Sequence, residues 1–271
     1  MADSLTTLTR RVLFAPLDEP GRTETVVSRI RSAITLGIYA NGEQLPSEID
    51  LAAQLSISPV TLRDALKVVR EEGLVRTTRG RSGGTFVIAP DESNMRFFES
   101  SLAQLTPIEL RDLLDWQTAL TGQAAILATE RASAHDIQTL EATASRLRDA
   151  EDPISARRAN SRFLIELAAS SRSSRISKAS ITMQIEFSPH AMLVFRDRGA
   201  RAGTSVLARQ LVEAVAARET EQAHAAANRL NDFLGEGITH LHHALREREG
   251  GVAGPETGSM SAVTAETGGR P

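Results

Sequence analysis

The stretch from residue 45 to residue 87 constrains this chain more than any other, because helix starts, helix stops and turns follow one another there without a gap. It reads LPSEIDLAAQLSISPVTLRDALKVVREEGLVRTTRGRSGGTFV. Ser47 is a good N-cap, and Glu48 and Asp50 then sit near the positive end of the helix dipole. Leu51, Ala52 and Leu55 give that helix one apolar face. A short turn at Ser56-Ile57 delivers a second cap, Ser58, with Pro59 at the first helical position, where a missing N–H costs nothing. Leu62, Ala65, Leu66 and Val69 recur at spacings of three and four, and Gly73 ends the run. Two β-prone segments, 74–78 and 85–88, flank a basic, glycine-rich tip, Arg79-Gly80-Arg81-Ser82-Gly83-Gly84. Helix, tight turn, helix and two-stranded wing make a winged helix-turn-helix.

The chemistry of this unit points to duplex DNA. The outer face of the second helix carries Thr61, Arg63, Lys67 and Arg70, and its N-terminus offers free backbone N–H groups to a phosphate. Arg76, Arg79 and Arg81 follow with no acid among them, and glycine lets the wing backbone approach a groove closely. The candidate DNA-contacting set is Ser47, Ser58, Pro59, Val60, Thr61, Arg63, Lys67, Arg79, Gly80 and Arg81. The structural alternative pairs Arg63 and Lys67 with Asp64 and Glu71 on a solvated face. Cap, turn, helix and basic wing occurring together, in order, favour DNA.

These residues also carry a family resemblance. Ile30-Arg31, Ile34 and Gly37, then Leu45-Pro46-Ser47-Glu48, Leu51-Ala52, Thr61-x-Arg63-x-Ala65-Leu66, Glu72-Gly73-Leu74-Val75 and Gly84-Thr85-Phe86-Val87 resemble the GntR family of bacterial transcription regulators. The resemblance implies a DNA-binding dimer controlled by a small molecule held in a C-terminal domain. Two departures stand out. Relatives commonly carry an arginine at the position of Pro59, and those of the fatty-acid-regulator branch often carry one at Ile49. In relatives that have them, both arginines contact DNA. Their absence here leaves Thr61, Arg63 and the wing to carry more of the recognition.

A chain of 271 residues allows two domains of ordinary size. With no cysteine there is no disulfide framework and no zinc-thiolate site, and the cytoplasm is the expected compartment. No apolar run approaches a membrane span, and the N-terminus lacks a secretory pattern. A net charge of -3 with a locally basic wing suits specific, salt-sensitive DNA binding rather than indiscriminate coating of nucleic acid. One Trp and one Tyr disfavour a base-stacking single-strand binder.

In order, residues 1–20 read as an N-terminal arm and a first helix covers 23–36, with Val27, Ile30 and Ile34 inward and Gly37 closing it. The DNA-binding domain spans 21–89, and the polar stretch 90–104 reads as a linker. From 105 to 249 every periodic segment is helical. The expected helices open at Thr106-Pro107, Ser133 and Pro153, then cover about 175–195, 204–217 and 219–248. Six helices on short links make an antiparallel bundle. Residues 250–271 cannot form a core and read as a disordered tail. The fold class is mainly α, a winged helix-turn-helix followed by an all-α bundle.

The helical half resembles the FCD subgroup, the fatty-acid-regulator (FadR) branch of the same family. The likeness rests on Ile108-Glu109-Leu110-Arg111, on residues 163–171 running into Arg175-Ile176, and on Arg209-x-Leu211-Val212-Glu213-Ala214-Val215. The resemblance implies a bundle cavity in which an acidic or amide residue and three histidines hold a divalent metal, often met by an organic acid. Those four positions fall here on Asn160, Leu164, Ala208 and Leu230. One amide oxygen cannot hold a metal, so no metal and no cofactor are expected. All four lie on apolar helix stripes and should point inward. Two readings remain: an open pocket for an acyl-type or organic-acid effector, or a cavity filled by ordinary core residues.

Three further features have two readings each. Arg111 matches a family arginine near the effector and could clamp a carboxylate, or could pair with Asp115 at i+4. Asn160 is either an effector contact or a structural amide bonded to a backbone carbonyl. His240, His242 and His243 read better as cations near a helix C-terminus than as metal ligands.

No nucleophile-base constellation, phosphate-binding glycine loop or His-Glu metal pair favours an enzyme. The expectation is a homodimeric regulator, a repressor in the first instance, on a palindromic operator, with a small-molecule effector and no membrane partner. The alternative is an effector-independent DNA-binding dimer whose helical half only dimerises.

Overall fold

A computed structural model describes residues 23–35, 39, 41–78, 80, 83–88 and 95–252. The expected arm 1–20, Gly37, wing-tip Arg79 and Arg81, and residues 253–271 of the expected tail lie outside them.

The N-terminal unit comprises α1 (Thr23–Thr35), α2 (Glu48–Leu55), α3 (Pro59–Glu71), β1 (Val75–Thr78) and β2 (Gly84–Val87). The caps act as their chemistry dictates. The Ser47 hydroxyl accepts from the Asp50 N–H, and the Ser58 hydroxyl accepts from the Thr61 N–H at 3.1 Å. Gly73 adopts φ +73°, the left-handed turn that lets the chain leave α3 for β1. The wing is antiparallel, with Val75 opposite Val87 and Thr78 opposite Gly84. Residues 43–45 do more than link α1 to α2. Gln44 bridges Phe86, the Leu45 N–H donates to the Thr85 carbonyl, and the Val87 N–H donates to the Glu43 carbonyl, so a short third segment pairs with β2. Val26, Ile30, Leu51, Leu55, Leu62 and Val69 bury one small core.

The helical half has seven helices among the described residues: α4 (Met95–Gln104), α5 (Pro107–Arg131), α6 (Ala134–Arg148), α7 (Pro153–Ser170), α8 (Ser174–Val194), α9 (Arg198–Ala216) and α10 (Thr220–Val252). The expected linker needs correction, since α4 occupies most of it. Met95, Phe98 and Leu102 follow helical spacing and are buried in the bundle core, which outweighs the polar residues between them. Capping boxes start α5 at Thr106, α6 at Ser133 and α7 at Asp152. Helix α8 runs through Pro189 without interruption, α9 begins at Arg198 rather than 204, and α10 outlasts its expected end.

The two units touch along α1 and α8, and Ile185 of α8 packs against the N-terminal core. Beside that contact lies a cleft of about 420 Å³ lined by Ser28, Arg31, Phe98, Glu109, Trp116 and His190.

Candidate functional site

The outer face of the winged helix is assembled by α3 and the wing. Arg63, Lys67 and Arg70 are exposed, and Pro59 and Val60 stand exposed at the start of α3. Thr61 is half-buried, its hydroxyl 2.9 Å from that of Ser58, so both hydroxyls sit together at the helix start, where the Ser58 hydroxyl also takes the Thr61 N–H. Arg63 corrects an expectation. Its partner is Glu48 of α2, Nε to Oε2 at 2.8 Å, rather than Asp64. The pair joins the two helices across their turn, yet both side chains are largely exposed, so it contributes roughly 0–1 kcal/mol and leaves Arg63 free to change partner. Among the described residues Lys67 forms no ion pair, with Glu71 or otherwise. In the wing the Arg76 guanidinium lies 5.5 Å from the centre of the Phe86 ring, a cation–π contact that steadies the strand pair. Gly80 has φ +116°, a conformation that excludes ordinary side chains from the tip. At the far end of α3, Arg31 of α1 grips Glu72 through two hydrogen bonds, Nε to Oε2 at 3.0 Å and Nη2 to Oε1 at 2.5 Å.

In the bundle, Asn160, Leu164, Ala208 and Leu230 all point inward and are essentially fully buried. Among the described residues no group of three or more His, Cys, Asp or Glu side chains could hold a metal ion. The reading of Asn160 as a structural amide is overturned, since neither its oxygen nor its nitrogen has a partner among the described residues. Arg111 is exposed, as its surface reading expects, but among the described residues it forms no ion pair with Asp115. His242 does not sit at the end of its helix. It is buried, its Nε2 lies 2.8 Å from the Leu105 carbonyl oxygen, and α10 continues well past it. His240 and His243 are exposed.

Sequence reasoning missed a polar layer inside the bundle. Gln184 of α8 donates to Gln117 of α5 at 3.1 Å, and Gln117 donates to Thr121 at 2.8 Å and to Asn231 of α10 at 3.4 Å. All four are buried. The signal was present as glutamine and threonine at i and i+4 on an otherwise apolar stripe. Also missed were Arg157, buried on α7, and His190 of α8, whose imidazole is pushed down to about 4 by burial and then by the neighbouring His242.

Residues 22–87 match the family model described as bacterial regulatory proteins of the gntR family, and residues 112–233 match the FCD domain. Together these spans cover more than two thirds of the chain. The chain belongs to the GntR family. This GntR protein is 40% identical over 174 residues to RmpR of Mycobacterium gastri, named as an HTH-type transcriptional regulator, across 64% of each chain. It is 32% identical over 105 residues to the Glc operon transcriptional activator of Escherichia coli K12, covering 39% of this chain and 41% of that one. The chain thus spans less than two thirds of the length of the curated relatives it matches. A solved structure of Streptococcus agalactiae GntR aligns over 79% of this chain and 99% of its own, at 21% identity and a TM-score of 0.40. Family and relatives are named as regulators rather than enzymes. No helix among the described residues is long and apolar enough to cross a membrane.

Proposed function

We propose that this GntR protein is a cytoplasmic transcriptional repressor that binds a palindromic operator as a homodimer and is controlled by a small-molecule effector in its FCD domain. The observation that carries the DNA half is the α3 face. Lys67 and Arg70 are exposed cations, and Arg63 is engaged, among the described residues, only by an exposed carboxylate, all on the helix that follows the turn and precedes a basic wing. One α3 per protomer enters the major groove, and the wing, with Arg79, Gly80 and Arg81, lies along the flanking phosphates or minor groove. Ser47, Ser58, Pro59, Val60 and Thr61 meet the backbone and base edges from the two helix starts.

The effector half rests on Asn160, whose buried amide atoms lack partners among the described residues, as expected of groups that meet a ligand. With Leu164, Ala208 and Leu230 in place of histidines, binding is independent of a metal. The effector acts by shifting the balance between two arrangements of the winged units, which changes the spacing of the half-sites. Effector-independent DNA binding, with the bundle serving dimerisation alone, is the competing reading, and it is favoured by the complete burial of Leu164, Ala208 and Leu230.

The test is a gel shift over a salt series using the promoter region next to the protein's own coding sequence, followed by footprinting. The expected result is affinity that falls steeply with salt and a protected palindrome. Absence of salt-dependent affinity for any duplex refutes the proposal.

A further inference from the structure

Arg157 is the largest side chain among the described residues to be almost wholly withdrawn from solvent, at 1% exposure, and its three guanidinium nitrogens have no partner among those residues. Cores rarely hold an arginine in this way unless a counter-ion completes it. Arg157, Asn160, Ser161 and Leu164 follow i, i+3, i+4, i+7 spacing and so share one face of α7. Both amide atoms of Asn160 and the hydroxyl of Ser161 are likewise buried and unpartnered.

The neighbouring helix brings more of the same. The Ser177 hydroxyl donates to the Ala168 carbonyl at 3.2 Å and the Ser180 hydroxyl to the Leu164 carbonyl at 3.5 Å, which sets the antiparallel register of α7 and α8. That register puts Gln184 level with Asn160, and Phe187-Ser188 level with Arg157. Gln184 Oε1 and Ser188 Oγ are buried and unpartnered too. No carboxylate of α7 answers Arg157: Asp152 caps the helix through the Ile154 and Ser155 N–H groups, and Glu166 bonds Arg162 at 2.7 Å. Arg158, next in sequence, adds like charge. Burial and then Arg158 pull the Arg157 guanidinium down to about 9, so it is still a cation at neutral pH.

We infer that this face binds an organic anion, whose carboxylate or phosphate is taken by Arg157 while Asn160, Ser161 and Ser188 hydrogen-bond the atoms beside it. A guanidinium presents a planar fork of donors that fits two oxygens of one oxyanion at once. Phe163, Leu164 and Phe187, all buried, supply an apolar surrounding for the rest of the ligand. The inference rests on reading the FCD domain as an effector domain, and it names the side chain that takes the effector's anionic head. It also assigns the anion to Arg157 rather than to the exposed Arg111.

The experiment is a thermal-shift series on the full chain with sodium acetate, sodium benzoate and inorganic phosphate, each against sodium chloride at matched ionic strength. At least one probe is expected to raise the wild-type Tm by about 5 °C when well above its Kd. The carboxylate and phosphate arms separate the two head groups. Arg157→Met is expected to fold with an unchanged or higher Tm without ligand and to lose the shift, because it removes an uncompensated charge at similar volume. Arg157→Lys, which keeps the charge but not the fork, is expected to retain a smaller shift. The inference is overturned if no probe stabilises the wild type, if Arg157→Met keeps the full shift, or if Arg157→Met lowers the ligand-free Tm by about 5 °C or more. Duplex binding by the same preparation is scored separately. Anion stabilisation without duplex binding sinks the regulator reading alone, and duplex binding without anion stabilisation sinks this inference alone.

Discussion

The two halves of the molecule dispose of their polar groups in opposite ways. In the winged unit the charged side chains of α3 point outward over a small apolar core, and the cap hydroxyls are bonded to backbone N–H groups of their own first turns. In the bundle, polar groups are turned inward: a glutamine–asparagine–threonine layer is bonded across three helices, and an arginine, an asparagine and two serines lie beside it without partners among the described residues. A surface that displays donors suits an extended, charged partner met from outside. An interior that withholds them suits a small partner that must be enclosed.

The comparison can be tested from its largest expected effect downward. Phe98→Ala should cost the chain about 3–5 kcal/mol, read by urea unfolding, because the ring is buried in the bundle core. A loss near zero would return α4 to the status of linker. Acid should unfold the protein through the bundle. His190 has a native pKa of about 4 against 6.5 when unfolded, so between those values the unfolded chain binds more protons. Stability should therefore be full above about pH 6.5 and fall as pH drops toward 4, by up to about 3 kcal/mol. His190→Leu should flatten that slope, and an identical slope in both proteins would exclude His190 as its source.

Smaller effects are expected in the winged unit. Arg63→Ala should weaken operator binding by about 1–3 kcal/mol if the side chain reads a base edge. Its folding stability should change by no more than about 1 kcal/mol, since the ion pair with Glu48 is exposed. An unchanged gel shift would remove Arg63 from the recognition set. The smallest effect should follow chelation. Incubation with EDTA should leave both Tm and duplex affinity unaltered, and a stoichiometric metal in the purified protein would contradict the proposed metal-independent pocket.

Legibility in the sequence follows the same division. Ser47, Ser58, Pro59 and Gly73 act on their own neighbours, so the positions of α2, α3 and the wing could be read from local rules. The pairing of residues 43–45 with β2 could not, because it depends on a strand some forty residues away. Helix α4 was hidden by composition: Arg96, Glu99 and Ser100 mask the spacing of Met95, Phe98 and Leu102, which only burial reveals. The inward turn of Asn160, Leu164, Ala208 and Leu230 was legible from periodicity. Arg157 was not, although it shares the helix face of Asn160, because charged residues are assigned to the surface unless a partner is known. Arg111 is exposed as its surface reading expects, but its pairing with Asp115 was not legible, since i, i+4 spacing does not fix the rotamers that would bring the two charges together.

One feature of α8 reaches beyond both units. Gln184 is bonded in the bundle interior, and the next residue, Ile185, rests on the core of the winged helix. Consecutive helical positions are rigidly geared at about 100°. A turn of this axle that reseats Gln184 must also carry Ile185 across the other core, so a molecule swallowed by one half can be felt as torque by the other.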